Sequence, residues 1–384
     1  MPVRIEEATT PEARRAFAEA PNTLYAHEPN HPQPLTRKVL EALDPDVNPF
    51  FRHGSARLFL ARRDGDVVGR ISAQVSQKHL DRYQDRTGHF GFLAAEDDAE
   101  TVSALFAAAE RWLKQRGMEA STGPFNFTLN DECGLLVDGF EHRPMMMLPF
   151  DPEYMGAHLA ANGYAKMKDL YTYRFTTSDQ NTVERLDRLL QKLPEIQGLQ
   201  VRKVRLNDFE AEAKILFSVF NDAWADNWGF VPFDDAEIQH LASSLKPIVI
   251  PELIWIAEID GQPIATISGV QDLNAALDGI GPQPSPLGWL RLLWRLKMRA
   301  EPDVRIIIAG VSRRFQTTLG RARMRIFAEL ARMIFVSNLG PKGRNVDAGW
   351  MLEDNAEILG TMKLFGARPL LTHRLFEKRI ERTP

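Results

Sequence analysis

The chain has 384 residues, 44% hydrophobic and 26% charged, with 25 Gly, 24 Pro and a formal charge of −4. That length calls for about two domains, and the composition is that of a globular protein, which excludes a small stapled module, a disordered chain and a coiled coil. One cysteine, Cys133, excludes an intrachain disulfide, and the nine His lack CxxC or HExxH partners, so no metal is expected. The N-terminus carries acids, and no stretch approaches the ~18 apolar residues of a membrane span, which leads to the expectation of a cytoplasmic protein.

Residues 56–73, ARLFLARRDGDVVGRISA, read as two strands joined through Asp64-Gly65, a strong hairpin signal. Residues 253–269, LIWIAEIDGQPIATISG, repeat the pattern through Asp260-Gly261, 196 residues later. Each hairpin is followed by an amphipathic helix. Val102, Leu105, Phe106, Ala109, Trp112 and Leu113 keep a 3.6 period up to Gly117, and Met324, Phe327, Leu330, Ala331 and Ile334 do the same. Both halves then close with a short helix, a Gly and β-like runs, 170–175 and 370–376. The order predicts two tandem α/β (α+β) domains, 1–178 and 179–384, each a mixed, mostly antiparallel sheet flanked by helices. The join falls in the polar stretch 176–181.

The acids Glu96, Asp97, Asp98 and Glu100 precede the first amphipathic helix, where they suit its dipole and would repel a phosphate. Residues 123–134, GPFNFTLNDECG, gather two Asn, two acids and the thiol into one Gly-bounded loop. Asp131 and Glu132, with His89 the third, are candidate proton acceptors; loop carboxylates that cap turns and a His that caps a strand are the plainer alternative. A lone Cys is usually a small buried hydrophobe. In 220–233, FNDAWADNWGFVPF, Trp224 and Trp228 stand four apart, which predicts a shared buried helix face, and the segment also suits an apolar ligand channel.

Residues 285–300, SPLGWLRLLWRLKMRA, place Arg291, Arg295 and Arg299 on one helical line with Trp and Leu covering the rest. The composition fits either a helix lying in a membrane interface or one packed on its own domain. Between Ser285 and Arg344 stand thirteen Lys and Arg against three acids, +10 in an otherwise acidic chain, so a local anionic partner competes with a solvated basic face. Within this zone 305–312, RIIIAGVS, reads as a strand leading through Arg313, Arg314, Gln316, Thr317, Thr318, Leu319, Gly320, Arg321 and Ala322 into a helix, a ready phosphate site.

Here the sequence resembles the GNAT acyl-CoA-dependent acyltransferases, whose corresponding Arg/Gln-x-x-Gly-x-Gly/Ala loop cradles the CoA pyrophosphate. Residues 317–322, TTLGRA, match its Gly and Ala, with Thr for the leading Arg or Gln. Asn355 and Gly366 reproduce another GNAT spacing, although Met362 stands where a thiolate-protonating Tyr is common. Over nearly its whole length the chain resembles a bacterial family of tandem GNAT-like proteins that includes the bacterial ceramide synthases. The resemblance is carried by Pro49-Phe50-Phe51, Val68-Gly69-Arg70-Ile71, Phe90-Gly91-Phe92, Gly123-Pro124-Phe125-Asn126, Asn130-Asp131-Glu132-Cys133-Gly134, Asn227-Trp228-Gly229-Phe230, Asp272-Leu273-Asn274 and Glu353-Asp354-Asn355.

It implies transfer of a fatty acyl group from acyl-CoA to the amine of a sphingoid base. Gly310, Val311, Ser312, Arg313, residues 316–322 and Asn355 would then bind the acyl-CoA, while Asn126, Asn130 and Trp228 meet the amine substrate. Glu132, Asp131 or His89 would take the ammonium proton, because an ammonium cannot attack a thioester. The inner-membrane surface, met through 285–300, is the further expected partner; neither a metal nor nucleic acid is expected. A soluble enzyme acting on a small amine and a non-catalytic acyl-CoA or lipid-binding protein remain as alternatives.

Overall fold

The computed structural model describes residues 2–176, 180–246, 249–298, 303–319, 322–336, 344–364 and 367–380. The first half supplies strands β1 (Arg4–Glu7), β2 (Gly54–Arg63), β3 (Asp66–Ser76), β4 (Thr87–Ala95), β5 (Ala120–Gly123), β6 (Leu135–Asp138) and β7 (Ala165–Thr176). The second supplies β8 (Leu199–Lys203), β9 (Ile254–Ile259), β10 (Gln262–Gln271), β11 (Val304–Val311), β12 (Asn345–Leu352) and β13 (Pro369–Arg379). Both expected hairpins form. Asp64 and Gly65 turn at φ 55° and 97°, Asp260 and Gly261 at 50° and 75°, the positive pair that matches the twist of the flanking strands.

The helix Ala99–Gln115 buries all six of its expected apolar residues, and Gly117 follows it at φ +77°. Its Asp98 cap accepts from Thr101 N at 2.8 Å, and Arg63 pairs with Asp98, so the acids of this turn are held internally. In the second half, the helix Arg323–Val336 buries Ile326, Ala328, Leu330 and Ile334, with Met324, Phe327 and Ala331 half-buried beside them.

The thirteen strands of the described residues join one sheet, in the order β1-β2-β3-β4-β5-β13-β7-β12-β11-β10-β9-β8, with β6 also pairing β13. The order reads the same from either end when the halves are interchanged, as a duplicated chain would give. The final strand of each half is exchanged: β13 pairs with β5 of the first half, β7 with β12 of the second, and β7 and β13 pair with each other. Among the described residues, parallel pairing occurs only at β4 with β5 and at β11 with β12. Beyond three residue pairs these strands diverge, leaving one fork in each half.

Candidate active site

The first fork is filled by the 124–134 loop. Phe125 N donates to Phe90 O at 2.7 Å, Phe125 bridges Cys133, and Gly134 N donates to Pro124 O, closing the loop on itself. So close is the approach that a Cβ on Gly91 would stand 1.6 Å from Phe125 O. Gly91→Ala must therefore push the loop off β4, a loss on the order of 3 kcal/mol, read as a lowered Tm. An unchanged Tm would contradict the close approach.

Asn126 ties the loop to the sheet and to its own acid. Its Oδ1 accepts from Phe92 N at 2.8 Å, its Nδ2 donates to Glu132 Oε2 at 2.9 Å, and its N donates to Glu132 O. Burial raises the Glu132 carboxyl above its usual range, opposed by the Asn126 bond and by the charges of Arg305 and Arg70. Asp131 points elsewhere: its Oδ2 accepts from Thr128 Oγ1 at 2.7 Å and Thr128 N at 3.2 Å, a turn-capping role. Desolvation also raises Asp131, to about 7, but the residue is exposed, so the shift is weaker than in an enclosed carboxylate. Asn130 reaches the second half, donating to Val231 O at 2.9 Å. Cys133 is buried and its thiol is pushed up by desolvation.

His89 lies away from Glu132. Its Nδ1 meets Thr122 Oγ1 at 2.7 Å, its ring abuts His79 and Phe125, and burial holds its pKa well below the usual value. Trp224 and Trp228 share no helical face, because the helix Phe209–Ala223 ends before both. Trp228 packs on Phe125, Leu129, Leu352 and their neighbours, while Trp224 packs on Phe220, Phe230 and Trp350.

Glu132 faces a cavity of about 100 Å³ whose polar lining includes Tyr25, His31, Arg70, Asn126, Asp151 and Asn274. Most of these escape motif reading. Arg70 lies on β3, where alternation sends Ile71 and Ala73 to the helix-packed core and Arg70, Ser72 and Gln74 to the opposite face. Its Nη1 donates to Phe17 O at 2.7 Å, its Nε meets no acceptor, and burial pushes it down to about 10, so it stays charged at neutral pH. Asp151 accepts from Leu136 N at 3.0 Å and is raised to about 7, chiefly by burial. His31 is pushed down to about 4 by desolvation and is neutral at pH 7. Asn274 brings the second half to the cavity.

The second fork holds Trp224 and Trp350, whose rings meet edge to face at 5.5 Å. Trp224 Nε1 donates to Ala309 O, and Gly310 sits against Ala223. Val311 ends β11, and Ser312 N donates to Ile264 O. An extended phosphate loop does not follow. Residues Arg313–Thr318, including Gln316, Thr317 and Thr318, form a short helix; Leu319 packs on the core and Ala322 precedes the next helix, while Gly320 and Arg321 lie outside the described residues. Asp222 already meets Ser312 Oγ at 2.5 Å, Arg313 N at 2.9 Å and Arg313 Nε at 3.3 Å, with Asp226 on the same guanidinium. Asn355 Oδ1 accepts from Ile358 N, capping the helix Ala356–Leu364; Gly366 lies outside the described residues.

Much of the +10 zone is therefore used inside the protein. Arg305 is buried and donates to Met146 O and Gly349 O, Arg325 to Leu190 O and Leu193 O, and Arg332 pairs with Asp187. Counting charges along the chain could not show these partners. Among the described residues one His and carboxylate group, His53 with Asp234 and Glu237, is tight enough to suggest metal ligation. Lys78 bridges both carboxylates and Asp234 caps a helix with Glu237, which makes the cluster a clamp between the halves.

The 285–300 segment forms the helix Pro286–Lys297, packed on one side and exposed on the other. Trp289, Leu292 and Leu296 pack on Leu35, Ala276, Leu277 and Ile280, and Arg295 donates to Ala276 O and Asp278 O. Leu287, Leu290, Leu293, Trp294 and Met298 are exposed, Leu287 at 77% and Trp294 at 61%. Arg299 lies outside the described residues. Among the described residues no helix is long and apolar enough to cross a membrane.

No family model matches the chain. It is 37% identical over 370 residues to the bacterial ceramide synthase of Caulobacter vibrioides, covering 96% of this chain and 95% of that protein. It is 35% identical over 370 residues to protein YghO of Escherichia coli, covering 95% and 93%. A tandem GNAT protein from the clavulanic acid biosynthesis pathway shares the fold at a TM-score of 0.59 and 14% identity, with all of both chains covered. A GCN5-related N-acetyltransferase from Sphaerobacter thermophilus follows at 0.51 and 12% identity, over 99% and 96% of the chains. At this identity and coverage the chain belongs to the bacterial ceramide synthase family of tandem GNAT-fold acyltransferases.

Proposed function

We propose that the protein moves a fatty acyl group from acyl-CoA to the amine of a sphingoid base. The observation that carries this reading is Glu132: a carboxylate raised by burial, fixed by Asn126 and lining a cavity, in a chain related over nearly its whole length to a bacterial ceramide synthase. The Glu132 carboxylate takes a proton from the ammonium. The freed nitrogen attacks the thioester carbonyl, the new C–N bond forms as the C–S bond breaks, and the CoA sulfur leaves with the bonding pair; the second proton that the nitrogen sheds on becoming an amide goes to that sulfur, giving the CoA thiol, and Glu132 returns its proton to solvent. Asp131 and His89 serve as positioning groups in this reading, Asp131 by capping the loop and His89 by packing on Phe125.

The halves divide the work. Residues 1–178 supply most of the amine cavity, joined by Asn274, and lack a phosphate site, since Asp98 caps the corresponding helix start. Residues 179–384 bind the acyl-CoA at the second fork, along Gly310 to Ala322 and near Asn355, where Arg313 and Arg314 are exposed. CoA-thiol release by the pure protein tests the reading. Release from palmitoyl-CoA that depends on a sphingoid amine in mixed micelles is expected, with acetyl-CoA a poor donor; release that ignores the amine would overturn it.

The lipid amine comes from a membrane surface. Cavity walls Pro32 and Pro34 lead directly to Leu35, and Asn274 to Ala276 and Leu277, all packed under the helix Pro286–Lys297. Its exposed Leu and Trp side chains would enter the acyl region while Arg291 and Lys297 meet anionic headgroups, at about 1 kcal/mol per basic residue. The double variant Leu290→Asp/Trp294→Asp should stop sedimenting with anionic vesicles while keeping turnover in detergent micelles. Sedimentation equal to wild type would contradict the docking role.

A further inference from the structure

The cavity beside Glu132 holds more polar chemistry than proton removal requires. Arg70 is buried, stacks near the Phe17 and Phe92 rings at 5.0 and 5.7 Å, and among the described residues forms no ion pair with a carboxylate. A guanidinium has donors only, and a buried one left short of acceptors is costly unless a ligand supplies an oxygen. Asp151 and Glu132 line the same cavity, and once ionised they offer acceptors only, which suit an ammonium. Neutral His31 adds no repulsion, and Phe92, Leu148 and Phe150 give the space an apolar side.

We propose that Arg70 and Asp151 recognise the polar head of the acyl acceptor: Asp151, with Glu132, takes the ammonium, and Arg70 donates to an oxygen on a neighbouring carbon. The assignment rests on the acceptor being a lipid amine, and it makes the cavity selective for a long-chain amino alcohol over a plain alkylamine of equal length.

Equilibrium binding of these two lipids in mixed micelles, with the full chain, tests it. Wild type should prefer the amino alcohol by at least about tenfold. Arg70→Gln should bring the two lipids within about threefold of each other, because the donor to the neighbouring oxygen is lost. Arg70→Lys, which keeps the cation if Gln is poorly folded, should leave an intermediate preference. Asp151→Asn should weaken both lipids alike, by about tenfold. Equal binding of the two lipids by wild type, an unchanged preference in both Arg70 variants, loss of both lipids by a folded Arg70 variant, or unchanged affinities in Asp151→Asn would each overturn the assignment. Displacement of the lipids by free amino acids would overturn it too. Failure of acyl transfer itself shows separately, as a binding preference with no thiol release from acyl-CoA.

Discussion

Glu132→Gln should lower kcat for acyl transfer by at least ~100-fold while leaving affinity for acyl-CoA unchanged. The amide can still accept from Asn126, so the loop keeps its geometry and only the proton acceptor is lost. Stability should not fall. Burial raises Glu132, and raises Asp151 to about 7, so the folded protein binds more protons than the unfolded chain between roughly pH 4 and 7, and folding loses stability as pH rises through that window. Removing one of these carboxylates removes part of that loss. In wild type the rate should rise with pH as Glu132 ionises, above the usual carboxylate range, and the variant should lose that limb. A variant with wild-type turnover, or with the limb intact, would transfer the role to another group.

Neither half should fold alone. Residues 1–178 retain β7 but lose both its neighbours, β12 and β13, and leave β5 without β13. On β7 the buried side chains include Leu170 and Tyr173; on β13, Leu371, Leu375 and Phe376. At about 1.5–3 kcal/mol for each fully buried large side chain, exposing the two on β7 in the first half, or the three on β13 in the second, takes a large part of the roughly 5–15 kcal/mol that holds a typical domain folded. Bare sheet edges add an aggregation hazard. The 1–178 and 179–384 halves should accumulate as soluble protein only when produced together, and then copurify. A cooperative melt of 1–178 alone, near the whole-chain Tm, would contradict the exchange.

The duplication was legible because Asp64-Gly65 and Asp260-Gly261 demand the same rare backbone conformation, and because an apolar stripe of period 3.6 survives from Val102 to Leu113. The exchange was not, since alternation in a strand reports which face is buried and says nothing about which strand lies alongside. Glu132 stood out as an acid in a Gly-bounded loop, yet what separates it from Asp131 is a single cross-loop bond from Asn126, invisible in spacing. Arg70 was readable in principle from the alternation of 70–76; a strand Arg is ordinarily taken as exposed, and its Phe17 carbonyl partner lies 53 residues away. Asp151 sits in an irregular segment with no period to betray it. The basic zone pointed outward only because the carbonyls that hold Arg305 and Arg325 have no sequence signature.

The most direct test of the account is mass-spectrometric analysis of the lipid product after pure protein is incubated with palmitoyl-CoA and a long-chain sphingoid amine. The account predicts an N-palmitoyl amide formed one for one with free CoA by wild type and nearly absent with Glu132→Gln. Free palmitate without amide, or amide formed equally by both proteins, would contradict it.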